Sequence, residues 1–252
     1  MTAIIIFSLL LALMLTGMPV SIALGLTVMA FLFAFTSVPM ESVALKLFTG
    51  IEKFEIMAIP FFILAGNFLT HGGVARRMID FARSMVGHMH GGLALASVFA
   101  CALFAAVSGS SPATVVAIGS IVLPAMLKQG YPKSFGAGVL STSGALGILI
   151  PPSIVMVMYA VATSGSSFSG PDGQPVSTAS VGQLFMAGVV PGLLLAFMLG
   201  LTTYVLARKN DYPRLPRASL AETWRTFSRS FWGLALIVIV LGGIYSGAFT
   251  PT

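Results

Sequence analysis

An all-α polytopic membrane protein is the fold class this sequence predicts, on three observations. Of the 252 residues, 57% are hydrophobic and only 8% charged, and the mean hydropathy is +0.99, whereas a soluble domain carries roughly 25% charged residues. The apolar residues fall into separate runs divided by short polar or basic connections. Two of those runs are interrupted at apparent membrane depth, by Ser108-Gly109-Ser110-Ser111-Pro112 and by Gly144-Ala145-Leu146-Gly147-Ile148-Leu149-Ile150-Pro151-Pro152-Ser153. Lipid offers the backbone no hydrogen-bond partner, so such breaks persist only where protein buries them or where they line a wet cavity.

The same composition excludes several functions. The net charge of +6 does not read as nucleic-acid binding, because the basic residues lie between apolar spans and form no patch interleaved with aromatics. Cys101 is the single cysteine, so neither an internal disulfide framework nor a thiolate metal site can be built. No enzyme is predicted. Ser110 within Gly109-Ser110-Ser111 resembles a nucleophile in a membrane, yet no histidine follows His90 to serve as its base. Met1-Thr2-Ala3 lacks the basic start of a cleavable leader, so the first span is expected to remain.

Taken in order, Ile4 to Thr16 and Val20 to Phe35 are apolar around Gly17-Met18-Pro19, predicting two short transmembrane helices joined by a tight turn, with a single kinked span as the alternative for runs this short. Val38 to Glu55 mixes charges with Val43, Leu47, Phe48 and Ile51 and predicts an interfacial amphipathic helix. Ile56 to about Thr70 is a third span, with Asn67 expected to cap or hydrogen-bond it. Val74, Met78, Phe81 and Met85 recur at helical spacing between Arg76, Arg77, Asp80 and Arg83, predicting a helix on the membrane surface. Leu93 to Val107 and Ala113 to Leu127 are arms of about 15 residues, short of the roughly 20 that a crossing needs. Flanking the first break and basic at both outer ends, they predict a re-entrant hairpin over about 92–128. Phe135 to Thr163 is long enough to cross, but its Gly and Pro residues divide it into a discontinuous helix. A polar loop from Ser164 to Ser180, a span from Leu184 to Ala207, a basic connection from Arg208 to Arg229 and a final span from near Phe231 complete the chain.

Placing the basic connection in the cytoplasm and alternating at each crossing puts all of the 13 Lys and Arg inside except Lys46 and Lys53, as the positive-inside rule requires. The N-terminus and the 164–180 loop then lie outside.

The two breaks carry complementary chemistry. Pro151 and Pro152 have no N–H, so the carbonyls of Gly147 and Ile148 four residues earlier lose their helical partners. Free carbonyl oxygens suit a hard cation with no side-chain charge. At the other break Ser108, Ser110 and Ser111 offer hydroxyls, and the arm starting near Pro112 points its free N–H groups and positive dipole end at an anion. Close helix packing accounts for either break alone; the pair together favours ion or solute binding.

Four stretches then show a family resemblance: Ile59 to Gly66, Val107 to Thr114, Leu146 to Ser153 and Gly242 to Thr252. They closely resemble signatures of the large membrane subunit of TRAP (tripartite ATP-independent periplasmic) transporters, the DctM-like family. The resemblance implies an elevator-type transporter built from inverted repeats, each with a re-entrant hairpin and a broken helix. It implies sodium-coupled import of small organic acids such as C4-dicarboxylates or sialic acid, with no organic cofactor. A small membrane subunit and a periplasmic substrate-binding protein are the implied partners, and the bacterial inner membrane the location. Residues 1–207 correspond to the first repeat, and 208–252 to the cytoplasmic connection and the start of a second. Carried over by position, sodium falls to Ser108, Ser111, Gly147, Ile150 and Pro152, and the carboxylate to Ser110, Ser111, Thr114 and Ser153. Family members are longer, so a fragment or a truncated reading frame is expected, with residues 166–176 an insertion in an outer loop. The other classes the sequence allows are a passive channel subunit and an assembly subunit without a site.

Overall fold

The computed structural model describes residues 2–36, 39–52, 54–163, 168–169, 175–176 and 179–249. The chain forms two compact units, residues 1–53 and 54–252.

In the first unit α1 (Thr2–Leu15) and α2 (Val20–Phe35) are the two expected apolar helices. Both present large side chains outward, Ile4, Phe7, Leu15 and Phe33 among them, as helices do whose solvent is lipid. Pro19 precedes α2 at its N-cap. The amphipathic segment becomes α3 (Met40–Ile51); Val38 and Lys53, at its predicted ends, lie outside the described residues.

The second unit opens with a 3-10 turn (Phe54–Met57) and α4 (Ala58–His71), followed by α5 (Val74–Val86), α6 (Gly92–Ser108), α7 (Ser111–Lys128), α8 (Lys133–Gly144), α9 (Leu146–Leu149) and α10 (Ile154–Thr163). Two short strands, β1 (Phe168–Ser169) and β2 (Pro175–Val176), pair antiparallel; the rest of the 166–176 segment lies outside the described residues. The helices α11 (Val181–Lys209) and α12 (Leu220–Tyr245) follow. By length and apolarity α7, α11 and α12 are each able to cross a membrane.

The unit is organised around α6. A helix apolar on every side must be covered by protein or by lipid; for α6 the cover is protein, with Leu93, Ala94, Ala96, Ala100, Cys101, Phe104 and Ala105 all shut away in the core. Its many alanines let α5, α7, α8 and α11 come close, which is how helices pack where burial from water supplies no drive. Phe104 is the largest of these fully buried side chains. Phe104→Ala is therefore expected to cost about 3–5 kcal/mol, read as a lowered thermal midpoint of the detergent-purified chain.

Local reading and structure part company in three places. The helix α5 turns 65° from α4 and buries Ala75, Ile79 and Ala82 beside Met78; of the expected Val74-Met78-Phe81-Met85 stripe, Met78 is buried, Val74 and Phe81 are half-buried and Met85 is 43% exposed. The stripe meets α12, where a Cβ on Gly233 would sit 2.7 Å from Val74 Cγ1, the Phe81 and Phe227 rings lie 5.7 Å apart and Ser230 Oγ donates to Arg77 O at 2.8 Å, so α5 is covered by protein on two sides. Second, α12 starts at Leu220 rather than near Phe231. Its cap is Ser219, whose Oγ accepts from Glu222 N at 3.1 Å, a Ser-x-x-Glu start signal hidden among the arginines. Third, α7 is 18 residues long, longer than the expected arm, because Ser111 and Pro112 belong to its first turn.

The segment between α11 and α12 is strapped to the foot of the hairpin. Leu215 N donates to Gly87 O at 3.0 Å, Tyr131 Oη donates to Pro213 O at 3.1 Å, and the Phe135 and Tyr212 rings lie 4.7 Å apart. Burial pushes the Tyr131 phenol above its ordinary pKa, so it remains a donor throughout the neutral range.

Candidate functional site

The first break is narrower than the sequence implied. The helix α6 runs through Ser108 and stops at Gly109, in left-handed backbone with φ +61°, a conformation that costs glycine nothing and other residues considerably. Ser110 is extended and caps α7, its Oγ accepting from Ala113 N at 3.5 Å. The hydroxyls brace this tip from within. Thr114 Oγ1 donates to Ser110 O at 2.8 Å, and Ser108 Oγ lies 2.9 Å from Thr114 Oγ1, donating to it because the threonine proton is already committed. Ser108 and Thr114 are fully buried.

The second break divides the helix into three pieces where two were expected. The helix α8 ends at Gly144, α9 is one turn, and the chain leaves the helix at Ile150 and bends through a cis Pro151-Pro152 bond before α10 resumes with its axis bent by 45°. Ile150 N bonds back to Leu146 O at 2.8 Å, but among the described residues no backbone N–H donates to the carbonyls of Gly147, Ile148, Ile150 or Pro152. Proline explains the first two, and the non-helical backbone of the break frees the others. Ile148 is 38% exposed, whereas Gly147, Ile150 and Pro152 are buried.

The tertiary fold brings the two breaks into contact. Ile154 N, at the start of α10, donates to Gly109 O at 3.1 Å. A Cβ on Gly147 would sit 2.8 Å from both Ser110 C and Ser111 N, and one on Gly109 would sit 2.6 Å from Pro152 O; neither distance is open to a real side chain. The helix α4 closes a third side, Gly66 lying against Ser108. A cavity of about 350 Å³ between α4 and α7 is lined by Asn67, Thr70, His71, Ser108, Ser110 and Ser120, among others. Asn67, read from sequence as a helix cap or an interhelical hydrogen bond, lines this cavity and is not the cap, since the C-cap of α4 is Gly72.

Two hydroxyls stand out. Ser143 Oγ and Ser153 Oγ are buried and have no hydrogen-bond partner among the described residues. Buried polar groups are almost always paired, and helical serines in this chain pair with a preceding carbonyl, as Ser97 does with Leu93 O at 2.8 Å. Ser153 lies in the second break and Ser143 immediately before it, so the unpaired oxygens belong to the two ends of one interruption. Ser143 was not anticipated. The run Ser141-Thr142-Ser143-Gly144 leading into the break was the available signal.

Neutral oxygens thus dominate this region, and among the described residues no three His, Cys, Asp or Glu are grouped to hold a metal ion. Hydroxyls and unpaired carbonyls can coordinate a hard, weakly charged cation, while the N-terminal end of α7 faces the same place with its positive dipole.

A polytopic all-α membrane protein in which a helical hairpin meets a discontinuous helix has the architecture of a secondary transporter. Residues 7–252 match the family model described as tripartite ATP-independent periplasmic transporter, DctM component, and the chain belongs to that family. It is 75% identical over 252 residues to the C4-dicarboxylate TRAP transporter large permease protein DctM of Rhodobacter capsulatus, covering 100% of this chain and 57% of the relative. It is 54% identical over 230 residues, 91% of this chain and 51% of the relative, to the protein of that name from Pseudomonas aeruginosa. With the sialic acid TRAP transporter large permease protein SiaM of Vibrio cholerae it shares 36% identity over 242 residues, 96% of this chain and 53% of the relative. These relatives are named as transporter permeases, not enzymes. The chain spans about half the length of the curated relatives it matches.

Proposed function

We propose that this chain supplies the first transport repeat, residues 1–207, and the following connection, residues 208–252, of the large permease subunit of a sodium-coupled importer of small organic acids. C4-dicarboxylates are the first candidates, since the 75% identical relative is named for them. The observation that carries the reading is the contact of the two breaks, with Ile154 N donating to Gly109 O at 3.1 Å, beside a buried Ser153 hydroxyl that has no partner.

In this reading Ser108 and Ser111 with the carbonyls of Gly147, Ile150 and Pro152 hold sodium. Ser110, Ser111 and Ser153 meet the substrate carboxylate, and Thr114 serves the same group by holding Ser108 and Ser110 in place. The ion would complete the polar junction and so make the tip competent for the acid, which is coupling by shared structure. The cavity of about 350 Å³ falls within the range of small-ligand pockets, roughly 300–1,000 Å³. The unit would move as an elevator in the bacterial inner membrane, its N-terminus periplasmic, beside a small membrane subunit and fed by a periplasmic binding protein.

The test is Ser108→Ala combined with Ser111→Ala. Sodium chloride, compared with choline chloride, should raise the thermal midpoint of the purified native chain, and the double variant should lose at least three-quarters of that increment. Sodium-dependent uptake by the complete transporter should fall at least tenfold. Unchanged sodium dependence would leave an assembly role, and conductance independent of the binding protein would leave a passive pore; either defeats the proposal.

A further inference from the structure

A second site lies away from the two breaks, between α6 and α11. There a cavity of about 440 Å³ is lined by Val98, Phe99 and Ala102 on one side and Phe197, Gly200 and Tyr204 on the other, with Val86 and Met89 at one end. Phe197 and Leu201 on its rim are exposed. Its walls are apolar, but the end near Met89 and Tyr204 is basic. The Tyr204 ring lies 6.2 Å from the His90 ring, Arg214 contacts His90 Nε2, and the bond from Leu215 N to Gly87 O fixes the segment carrying Arg214 against the turn carrying His90. Arg208 and Arg217 lie on the same connection, where Asp211 is the only carboxylate between them.

We propose that this groove binds one anionic phospholipid, an acyl chain lying along the α6–α11 slot and the phosphate held by Arg214 and His90. An apolar slot that ends in a guanidinium held in place by His90 matches the two ends of a lipid, and a soluble anion would leave the slot unused. The basic connection lies on the face that the charge distribution assigns to the cytoplasm, where leaflets are rich in anionic lipid. Gly200 exposes the free space of the slot directly, since a Cβ built on it meets nothing within 4 Å. The site would tie the connection between α11 and α12 to the membrane surface and keep it docked against the foot of the hairpin.

Native mass spectrometry of the purified chain, titrated with phosphatidylglycerol or phosphatidylcholine, tests this. One phosphatidylglycerol should be retained per chain, at least fivefold in preference to phosphatidylcholine. Arg214→Gln with His90→Gln should remove that preference while leaving some lipid bound. Gly200→Phe should fill the slot and reduce retention of both lipids at least fivefold, and Gly200→Leu provides the same test if the larger side chain prevents folding. Equal retention of the two lipids by the native chain overturns the proposal, as does undiminished retention by a folded Gly200 variant. Complete displacement by inorganic phosphate would assign the cations to a soluble anion and overturn it too. A dimer broken by Gly200→Phe would mean that a second copy covers the groove, with the same consequence.

Discussion

Gly147→Ala is expected to abolish sodium-dependent uptake by the complete transporter and to remove the sodium-induced rise in thermal midpoint of the isolated chain. The added Cβ would sit 2.8 Å from Ser110 C and Ser111 N and 2.9 Å from Ser110 O. All three are backbone atoms of the hairpin tip, so no rotamer change relieves the clash and one of the two breaks must withdraw. Overpacking of this kind costs about 1–3 kcal/mol, and a site that depends on oxygens from both breaks loses its geometry with the first displacement of about 1 Å. Leu146 and Ile150 beside Gly147 belong to the core around α6, but most of that core comes from α5, α6 and α7, so the chain should still insert and fold. Circular dichroism should therefore remain native while ion dependence disappears. Retention of a full sodium response by a folded Gly147→Ala chain would refute the shared site.

Ser153→Ala is expected to act in opposite directions on stability and binding. Its hydroxyl is buried without a partner, and such a group costs about 1–3 kcal/mol relative to one that is paired. Removing it should raise the thermal midpoint of the ligand-free chain. In the native chain, a dicarboxylate that pairs with this oxygen in the sodium-loaded site adds stability by mass action, about 2.7 kcal/mol at a hundredfold excess over its dissociation constant. The variant should lose that increment. The two melting curves should therefore cross as sodium and acid are added, the variant more stable without them and the native chain more stable with them. A serine kept only for packing would give curves that stay parallel. Ser143→Ala extends the test to the other end of the break, where the second unpaired hydroxyl lies.

Most of the helices could be read directly, because in lipid a helix announces itself by an apolar run and its ends by Gly, Pro and charge. The elements α1, α2, α4 and both arms of the hairpin fall where the runs place them. What escaped was decided by neighbours or hidden by charge. The helix α5 meets α12 along the predicted stripe but also buries Ala75, Ile79 and Ala82 on a second side, which a count of large apolar residues does not reveal. The start of α12 lay under Arg225 and Arg229, whose charge reads as a loop although Ser219 and Glu222 already mark a cap. Around the candidate site the two breaks were legible, because Gly109, Gly147, Pro151 and Pro152 each violate the rules of an apolar helix. Ser143 was not, since a serine in a helix is ordinary until its hydroxyl is found without a carbonyl.

By itself the sequence determined the class of protein, the positions of the two breaks and the kind of chemistry they offer, because each of these depends on local backbone rules. Glycine permits φ +61° at residue 109, and proline deprives the carbonyls of Gly147 and Ile148 of donors, whatever surrounds them. Only the tertiary structure decided that the breaks touch, that Ile148 faces outward while Gly147, Ile150 and Pro152 face in, and that Ser153 is left unpaired. Those facts concern residues some forty positions apart in the chain. They follow from packing around α6, whose small side chains let the hairpin and the broken helix approach until backbone meets backbone.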